Sequence, residues 1–509
     1  MKKRTILYMA GILLGSMTAC TKDFEEINTN PNSVEVPNAT FIFSQSQLDG
    51  LNNNYFFTNV LQCGGMLQHY ATYKEASGVG DKYLNNESYY SAYFNRGYPT
   101  AVNEIQTVIN TLKDNPVESN KLNIARIWKA YIYHRMTDLY GDIPYTEASK
   151  AYTNEHFLPK YDSQEFIYKD LLKELDEAAA ALDPAKASFG KADFIYEGNI
   201  AKWKKFSYSL ILRLGLRLSK VDPALSKTWV TKAITGGVIV NAADNALIKY
   251  TDGPNDFNRN PAGIDSRSLD FAKDSFGQKN TEGGKLAKTF IDVLKTTADP
   301  RLSVYSGVWQ GTVQNTDPAV QKGFPNGTKT APSPAEQGTY SEPNQSTVFR
   351  YDAPMMILSN AETNLYLAEA AIRGWYTAET DKDLYEKAVK ASFLNMGIYG
   401  AAYAITDATP YLTLNPYNVA GTFDQKMSQI HSQIWIALFV DEQEIYANWR
   451  RTGYPALVPI NFPGNVTNGT IPRRIKYPVS EYSVNSANLA EAVKRQGPDA
   501  FTTRIWWDK

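Results

Sequence analysis

At 509 residues the chain has room for a sizeable core, either in one large helical domain or in several of the usual roughly 100–200 residues. Hydrophobic residues at 43 % and charged residues at 21 % are those of a folded globular protein and exclude a disordered, collagenous or polytopic membrane chain. Lys plus Arg (52) almost cancel Asp plus Glu (53), so a formal charge of −1 leaves no basic field for nucleic acid.

Met1-Lys2-Lys3-Arg4 is a basic start, and Thr5 to Met17 is apolar but shorter than the roughly 20 residues that span a bilayer. Residues 1–19 therefore read as a cleaved signal peptide. It ends in Met17-Thr18-Ala19-Cys20, similar to a bacterial lipobox, in which the Cys is acylated and becomes the new N-terminus. Ordinary secretory cleavage with Cys20 incidental is the alternative. Residues 20–39 form a lipidated N-terminus and tether, polar and rich in Asn and Pro. With Cys20 lipidated, Cys63 has no intrachain partner, and it is expected as a buried small hydrophobe.

The body, 40–509, reads as a single domain. Ile124, Trp128, Ile132, Met136 and Leu139 recur at helical spacing, and Gly141 with Pro144 supplies a stop. Ile167, Leu171, Leu175, Ala178 and Leu182 form a second stripe, opened by Asp162 with Glu165 as a capping box. Trp203, Phe206, Leu210, Leu214 and Leu218 form a third. Ala361, Leu365, Ala368 and Ile372 line a fourth helix, Tyr385, Ala388, Val389 and Phe393 a fifth, and one long helix is predicted from about Ser428 to Trp449. Thr251 to about Pro354 is dense in Gly, Pro, Asn and Ser, and Gly307 to Pro343 has no periodic pattern; such a length of loop implies functional surface or mobility. The expected fold is mainly α: a tetratricopeptide-like helical-pair scaffold (40–250 and 355–450) with a loop-rich capping subdomain (251–354 and 451–509).

The usual catalytic constellations are missing. His69, His134, His156 and His431 show no HExxH or close pairing, so no metal site and no cofactor are expected, and His134 reads as a structural residue within its helix. There is no G-x-S-x-G elbow and no P-loop. Glu362 and Glu369 are two helical turns apart, roughly 10.5 Å along the axis, too far for a retaining glycosidase pair. An ion pair of Glu369 with Arg373 is the simpler account. Asp441, Glu442 and Glu444 ahead of Arg450 and Arg451 complement a helix dipole.

The aromatic content points to a ligand surface. Tyr70, Tyr73, Tyr83, Tyr89, Tyr90, Tyr93 and Tyr98 fall close together around a Gly/Asn-rich loop, Ala76 to Ser88. Sugars stack on aromatic rings while Asn, Asp and Arg bind their hydroxyls, so Tyr73, Tyr83, Asn86, Tyr89 and Tyr90 are candidate ligand residues, beside Asn85 and Glu87. Tyr93 and Tyr98 open the next helix and are expected to face inward. Trp309, isolated in the irregular insert, is a comparable candidate; Arg267, Phe276 and Tyr340 are further ones.

After Cys20, Phe24-Glu25-Glu26-Ile27-Asn28-Thr29-Asn30-Pro31-Asn32 resembles the start of the SusD/RagB family of outer-membrane nutrient-binding lipoproteins. The likeness recurs at Tyr140-Gly141-Asp142-Ile143-Pro144-Tyr145-Thr146-Glu147-Ala148, Lys202-Trp203-Lys204-Lys205-Phe206 with Leu212-Arg213-Leu214 and Arg217, and Asp299-Pro300-Arg301. Ala368-Glu369-Ala370, Arg450-Arg451-Thr452-Gly453-Tyr454-Pro455, Pro472-Arg473-Arg474 and Trp506-Trp507-Asp508 complete it. The resemblance implies no catalytic activity, a SusC-like TonB-dependent transporter as partner, an oligosaccharide or, in some lineages, a peptide as ligand, and attachment to the outer membrane through the lipid on Cys20. Asp23, Glu25 and Glu26 resemble the family's surface-export signal. It places the ligand site in the Tyr83 to Tyr90 loop and the Trp309 region. A surface glycan hydrolase and an adhesin that binds only protein are the competing readings.

Overall fold

Amphipathic stripes become a succession of packed helix pairs in the computed structural model, which describes residues 38–75, 78–150, 157–265 and 284–509. The signal peptide, Cys20, almost all of the tether, His156, Arg267 and Phe276 lie outside the described residues. Ala39–Lys509 is one compact unit.

The first helices are α1 (Ala39–Asn52), α2 (Asn103–Leu112), α3 (Ser119–Tyr140), α4 (Gln164–Ala181), α5 (Ile200–Arg217) and α6 (Pro223–Gly236), each packed on the next. Trp128 of α3 is fully buried, stacks on Tyr131 and donates to the Ser46 carbonyl, while Gly50 of α1 leaves room for its ring. Gly141 ends α3 at φ +83°, where a Cβ would strike the Gln496 amide that accepts from the Asp142 N–H. The cap of α4 is one residue later than the sequence suggested: Ser163 Oγ accepts from Phe166 N–H, and Asp162 instead accepts from Thr146.

The second block holds α8 (Asn360–Ile372), α9 (Asp381–Asn395), α10 (Phe423–Ala437) and α11 (Glu442–Thr452), with α7 (Lys288–Thr296) in the insert before it. The single long helix expected from Ser428 to Trp449 is thus two. The chain breaks at Leu438–Asp441, where Val440 takes φ +82° and donates its N–H to Glu442 Oε1. A β-branched residue at positive φ is strained, so the corner is held by that buried carboxylate.

Ion pairs lock the two blocks. Arg213 of α5 binds Glu362 of α8 through Nε and Nη2, both at 2.8 Å, and Arg217 binds Glu444 of α11 at 2.5 and 2.6 Å. Tyr366 also donates to Glu444. The expected Glu369–Arg373 pair is present at 2.8 Å, but Arg451 and His431 share the same buried carboxylate. Asp441, Glu442 and Glu444, read from the sequence as a helix-dipole feature, instead make long-range buried contacts: Asp441 binds Arg135, and Glu442 lies 3.5 Å from His69. Cys63 is buried and in no disulfide among the described residues, with its thiol pushed far up by burial.

The insert is less irregular than its composition implied. Strand β1 (Tyr70–Thr72) pairs antiparallel with β2 (Gly284–Leu286) in the register Ala71 to Lys285. Strands β3 (Ser306–Gln310), β4 (Val313–Asn315) and β5 (Glu342–Pro343) form a sheet in the order β4-β3-β5. Leu286 N–H bonds to the Ser341 carbonyl and links the two sheets into a ribbon. The tail returns to the scaffold, burying Trp507 completely; its indole donates to Asp138.

Candidate functional site

Two sequence candidates belong to this ribbon, Tyr73 directly after β1 and Trp309 on β3. Trp309 is half-buried on β3, and its indole N–H donates to Glu342 Oε2 at 2.8 Å. The other oxygen of Glu342 is paired with Lys285 of β2, and both side chains are only 4 % exposed. A half-exposed ring is therefore fixed at its polar edge by a buried ion pair, an arrangement that holds one face of the indole at a set angle. Tyr73 follows β1 but is 6 % exposed; its hydroxyl donates to Gln337 and its ring packs edge-on against Phe324, which meets Tyr340 the same way. Tyr73 and Tyr340 thus form the floor of this region and not its exposed surface.

The loop between Tyr73 and Tyr90 does not present the tyrosines as the sequence suggested. Val79, Asp81, Lys82 and Tyr83 are buried. Asp81 Oδ2 accepts from Thr72 N–H and from Lys82 Nζ, which itself donates to the Thr72 carbonyl, so the loop is stitched to β1. Gly80 lies so close to the Leu61 carbonyl that the loop enters the body at a point where no side chain fits. Tyr83, 1 % exposed, accepts from Ile460 N–H, and Tyr90, 3 % exposed, packs edge-on against Phe501. Both rings are spent on joining the loop to the tail and offer no face for stacking. Tyr93 is buried as expected, and Tyr98, half-buried, donates to the Pro144 carbonyl. Tyr70 is buried against Phe439. Tyr89 is half-buried, stacked on Phe57 at 4.6 Å, and lies in a short helical turn (Glu87–Tyr90) at whose start the Asn86 carbonyl accepts from Tyr89 and Tyr90 N–H. Glu87, Ser88 and Ser91 line an open polar depression of about 520 Å³ with Asn95 and Arg96, separate from the Trp309 ribbon.

A groove of about 400 Å³ adjoins the ribbon, between α7, the segment 321–325 and Tyr340. It brings together Lys288, Lys295 and Lys322, none of which stood out in the sequence, because lysines at an amphipathic helix surface carry no distinguishing pattern.

The structure also gathers His134, Asp138 and Glu444, whose ligand atoms lie within 4.8 Å of one another, a cluster the sequence spacing hid. Both carboxylates are already engaged: Asp138 accepts from Tyr168 and Trp507 and lies 3.5 Å from Arg217, and Glu444 is bonded by Arg217. Burial holds the His134 imidazole well below its ordinary pKa, and Arg213 adds to that effect. Burial raises Glu444, but Arg217 and Arg213 overcome it and hold the carboxyl below its usual range. The donor set is neutralised by guanidinium groups and fits a structural ion network, not a metal.

Comparisons with known proteins bear on the same chain. A family model for SusD-like proteins, described as starch-binding and associating with the outer membrane, matches residues 31–478. A solved chitin-binding protein is 29 % identical with a TM-score of 0.79, covering 92 % of this chain and 100 % of its own. A SusD-like protein from Bacteroidetes is 27 % identical with a TM-score of 0.81, covering 93 % and 100 %. A chitin-binding SusD homolog from Flavobacterium johnsoniae is 28 % identical with a TM-score of 0.76, covering 92 % and 98 %. No protein of curated function matches. Among the described residues, no helix is long and apolar enough to cross a membrane.

Proposed function

The chain belongs to the SusD-like family, and from that premise we propose that it is a non-catalytic surface lipoprotein that captures oligosaccharides and passes them to a SusC-like TonB-dependent transporter. The observation that carries the glycan reading is Trp309, a half-exposed ring whose N–H is tied to the buried Glu342–Lys285 pair. Such a ring is pre-organised for stacking on a sugar face, so little ordering entropy is lost when ligand binds. The chitin-binding names of two similar structures make chitooligosaccharides the first ligands to try, with maltooligosaccharides second because the family description names starch. Tyr89 and Asn86, two other sequence candidates that are not fully buried, lie apart from this platform, next in the chain to the residues of the polar depression.

The carboxylates weighed for glycosidic chemistry are held as structural groups in this reading. Glu362 and Glu369, the pair weighed in the sequence, are consumed by Arg213 and Arg451. Burial pushes Glu362 above its usual range, with Arg213 opposing, as befits a core group.

Calorimetric titration of chitooligosaccharides and maltooligosaccharides tests the proposal. Trp309→Ala should lose about 1–3 kcal/mol, by analogy with bases stacked on aromatic side chains, and no reducing ends should appear on prolonged incubation. Parent-like binding by Trp309→Ala would remove the platform, and released reducing ends would restore the hydrolase alternative. Attachment at Cys20 is tested by Cys20→Ala, which should leave the membrane fraction. Partnership is tested by co-purification with a TonB-dependent barrel under mild detergent; recovery only as a free monomer counts against it.

A further inference from the structure

We propose that the groove beside the Trp309 ribbon binds the carboxylate or sulfate group of an acidic oligosaccharide, with Lys295 and Lys322 as its cationic partners. The inference rests on the glycan reading above and names the class of sugar that the site takes.

The groove is built from two elements that the fold presses together. Helix α7 contributes Lys288, Asp292, Lys295 and Thr296, and the segment 321–325 contributes Gln321, Lys322, Gly323 and Pro325. Backbone bonds from Phe324 N–H to Leu286 and from Lys288 N–H to Phe324 fix the segment against the start of the helix. Ser341 N–H bonds to the Lys322 carbonyl, one residue from Glu342, so the groove and the Trp309 platform are joined through the segment Tyr340–Glu342. At about 400 Å³ the groove falls within the roughly 300–1,000 Å³ of small-ligand sites.

Its charge is unbalanced. Lys288 is paired with Asp292 and so is neutralised. Lys295 Nζ donates to the Gln321 carbonyl at 2.8 Å, and Lys322 Nζ lies 4.2 Å from the centre of the Tyr340 ring. Neither has a carboxylate within 4.0 Å among the described residues. Both ammonium groups are exposed, yet each is held by one contact, a carbonyl for one and an aromatic face for the other, which leaves further N–H donors on each for an anion. The floor does not give way beneath them: Tyr340 is buried against Phe324, and Gln321, 2 % exposed, accepts from Ser341 and donates to Asn315. A neutral sugar can accept hydrogen bonds from these two ammonium groups but brings no charge to balance them. A uronic acid or a sulfated sugar, stacked through its ring at Trp309 or a neighbouring unit, brings the charge that they lack.

Exposed ion pairs are individually weak, so the signature is charge and salt dependence more than affinity. The experiment titrates the full chain, purified in detergent, with oligogalacturonides and oligoalginate for carboxylates, chondroitin-sulfate and heparin oligosaccharides for sulfates, and chito- and maltooligosaccharides as neutral controls. An acidic ligand should bind, weaken severalfold between about 0.1 M and 1 M salt as screening shortens from ~10 Å to ~3 Å, and lose tenfold or more with Lys295→Glu/Lys322→Glu. The same double variant should melt like the parent and leave any neutral ligand unaffected. The carboxylate and sulfate arms then identify the anion. Binding of neutral ligands alone overturns this inference and leaves the glycan reading standing. Acidic binding that the double variant retains overturns it as well, and binding of no oligosaccharide in either set overturns both.

Discussion

The Glu342–Lys285 pair allows the cap to be tested without knowledge of the ligand. Glu342→Ala would leave the Lys285 ammonium buried with no anion, since both side chains are 4 % exposed and Lys285 sits in the middle of β2. Breaking a buried pair by removing one partner costs about 3–5 kcal/mol, whereas replacing both by apolar groups of similar volume is often neutral or better. The indole N–H of Trp309 loses its acceptor in the same change. The cost falls on a local ribbon whose opening exposes few other groups, so it should be read as local opening, not as global unfolding. Hydrogen exchange at the backbone amides of residues 284–286, Ser341 and Glu342 is the assay. At about 1.4 kcal/mol per tenfold, protection there should drop by roughly two to three and a half orders of magnitude in Glu342→Ala. It should recover largely in Lys285→Met/Glu342→Leu, while the protection of α3 and α5 stays at the parent level. Recovery of stability in that double variant should not restore glycan affinity, because the ring edge remains untethered. Unchanged protection in Glu342→Ala, or equal loss in the single and double variants, would refute the argument that an unpaired buried cation is what fails.

Arg213→Met, which strands Glu362 in the interior, should cost about 3–5 kcal/mol and lower the calorimetric melting temperature clearly; a parent-like melt would refute it. Gly80→Ala places a Cβ 2.0 Å from the Leu61 carbonyl and should destabilise by about 1–3 kcal/mol, seen as faster proteolysis of the loop at residues 78–84. Burial pushes the Glu442 carboxyl up to about 8, so its contribution is full below about 4.5 and is lost as pH rises towards 8, by up to ~1.4 kcal/mol per pH unit. Burial holds His69 at about 3, which gives the opposite slope below 6.5, so 6.5 to 8 is the window in which Glu442→Gln should gain on the parent in chemical denaturation; a constant difference across it would refute the assignment.

The helical scaffold was legible because burial leaves a period. The Trp128, Leu171, Leu210 and Leu365 stripes each mark a face that is buried in the fold. The break at Val440 was not legible, since the apolar pattern runs on through Leu438 and Phe439, both buried, and only a strained corner separates the two helices. The charged residues of α11 were misjudged for a related reason. Acid followed by base on one helix satisfies the dipole rule, but their actual partners, Arg135, His69 and Arg217, are hundreds of residues away in the chain.

The candidate site was half legible, and the reason separates composition from exposure. A cluster of tyrosines says that amphipathic rings are needed, and it does not say whether their hydroxyls face water or a carbonyl. Tyr83, Tyr98 and Tyr140 meet backbone groups through their hydroxyls, and Tyr73 meets Gln337, so these tyrosines record a core whose polar edges are satisfied by protein groups. Trp309 differs because its ring is half out while its polar edge is held in, by a carboxylate 33 residues on and, through it, a lysine on another strand. That distinction depends on strand register, since Gly307 faces Glu342 and Ala71 faces Lys285. The buried arginines behind the family resemblance, Arg213, Arg217, Arg301 and Arg451, bind carboxylates within the scaffold, as Arg301 does with Asp299. Residues spent inside the protein in this way hold the scaffold together, whereas Trp309 keeps part of its ring at the surface while its polar edge is tied to Glu342.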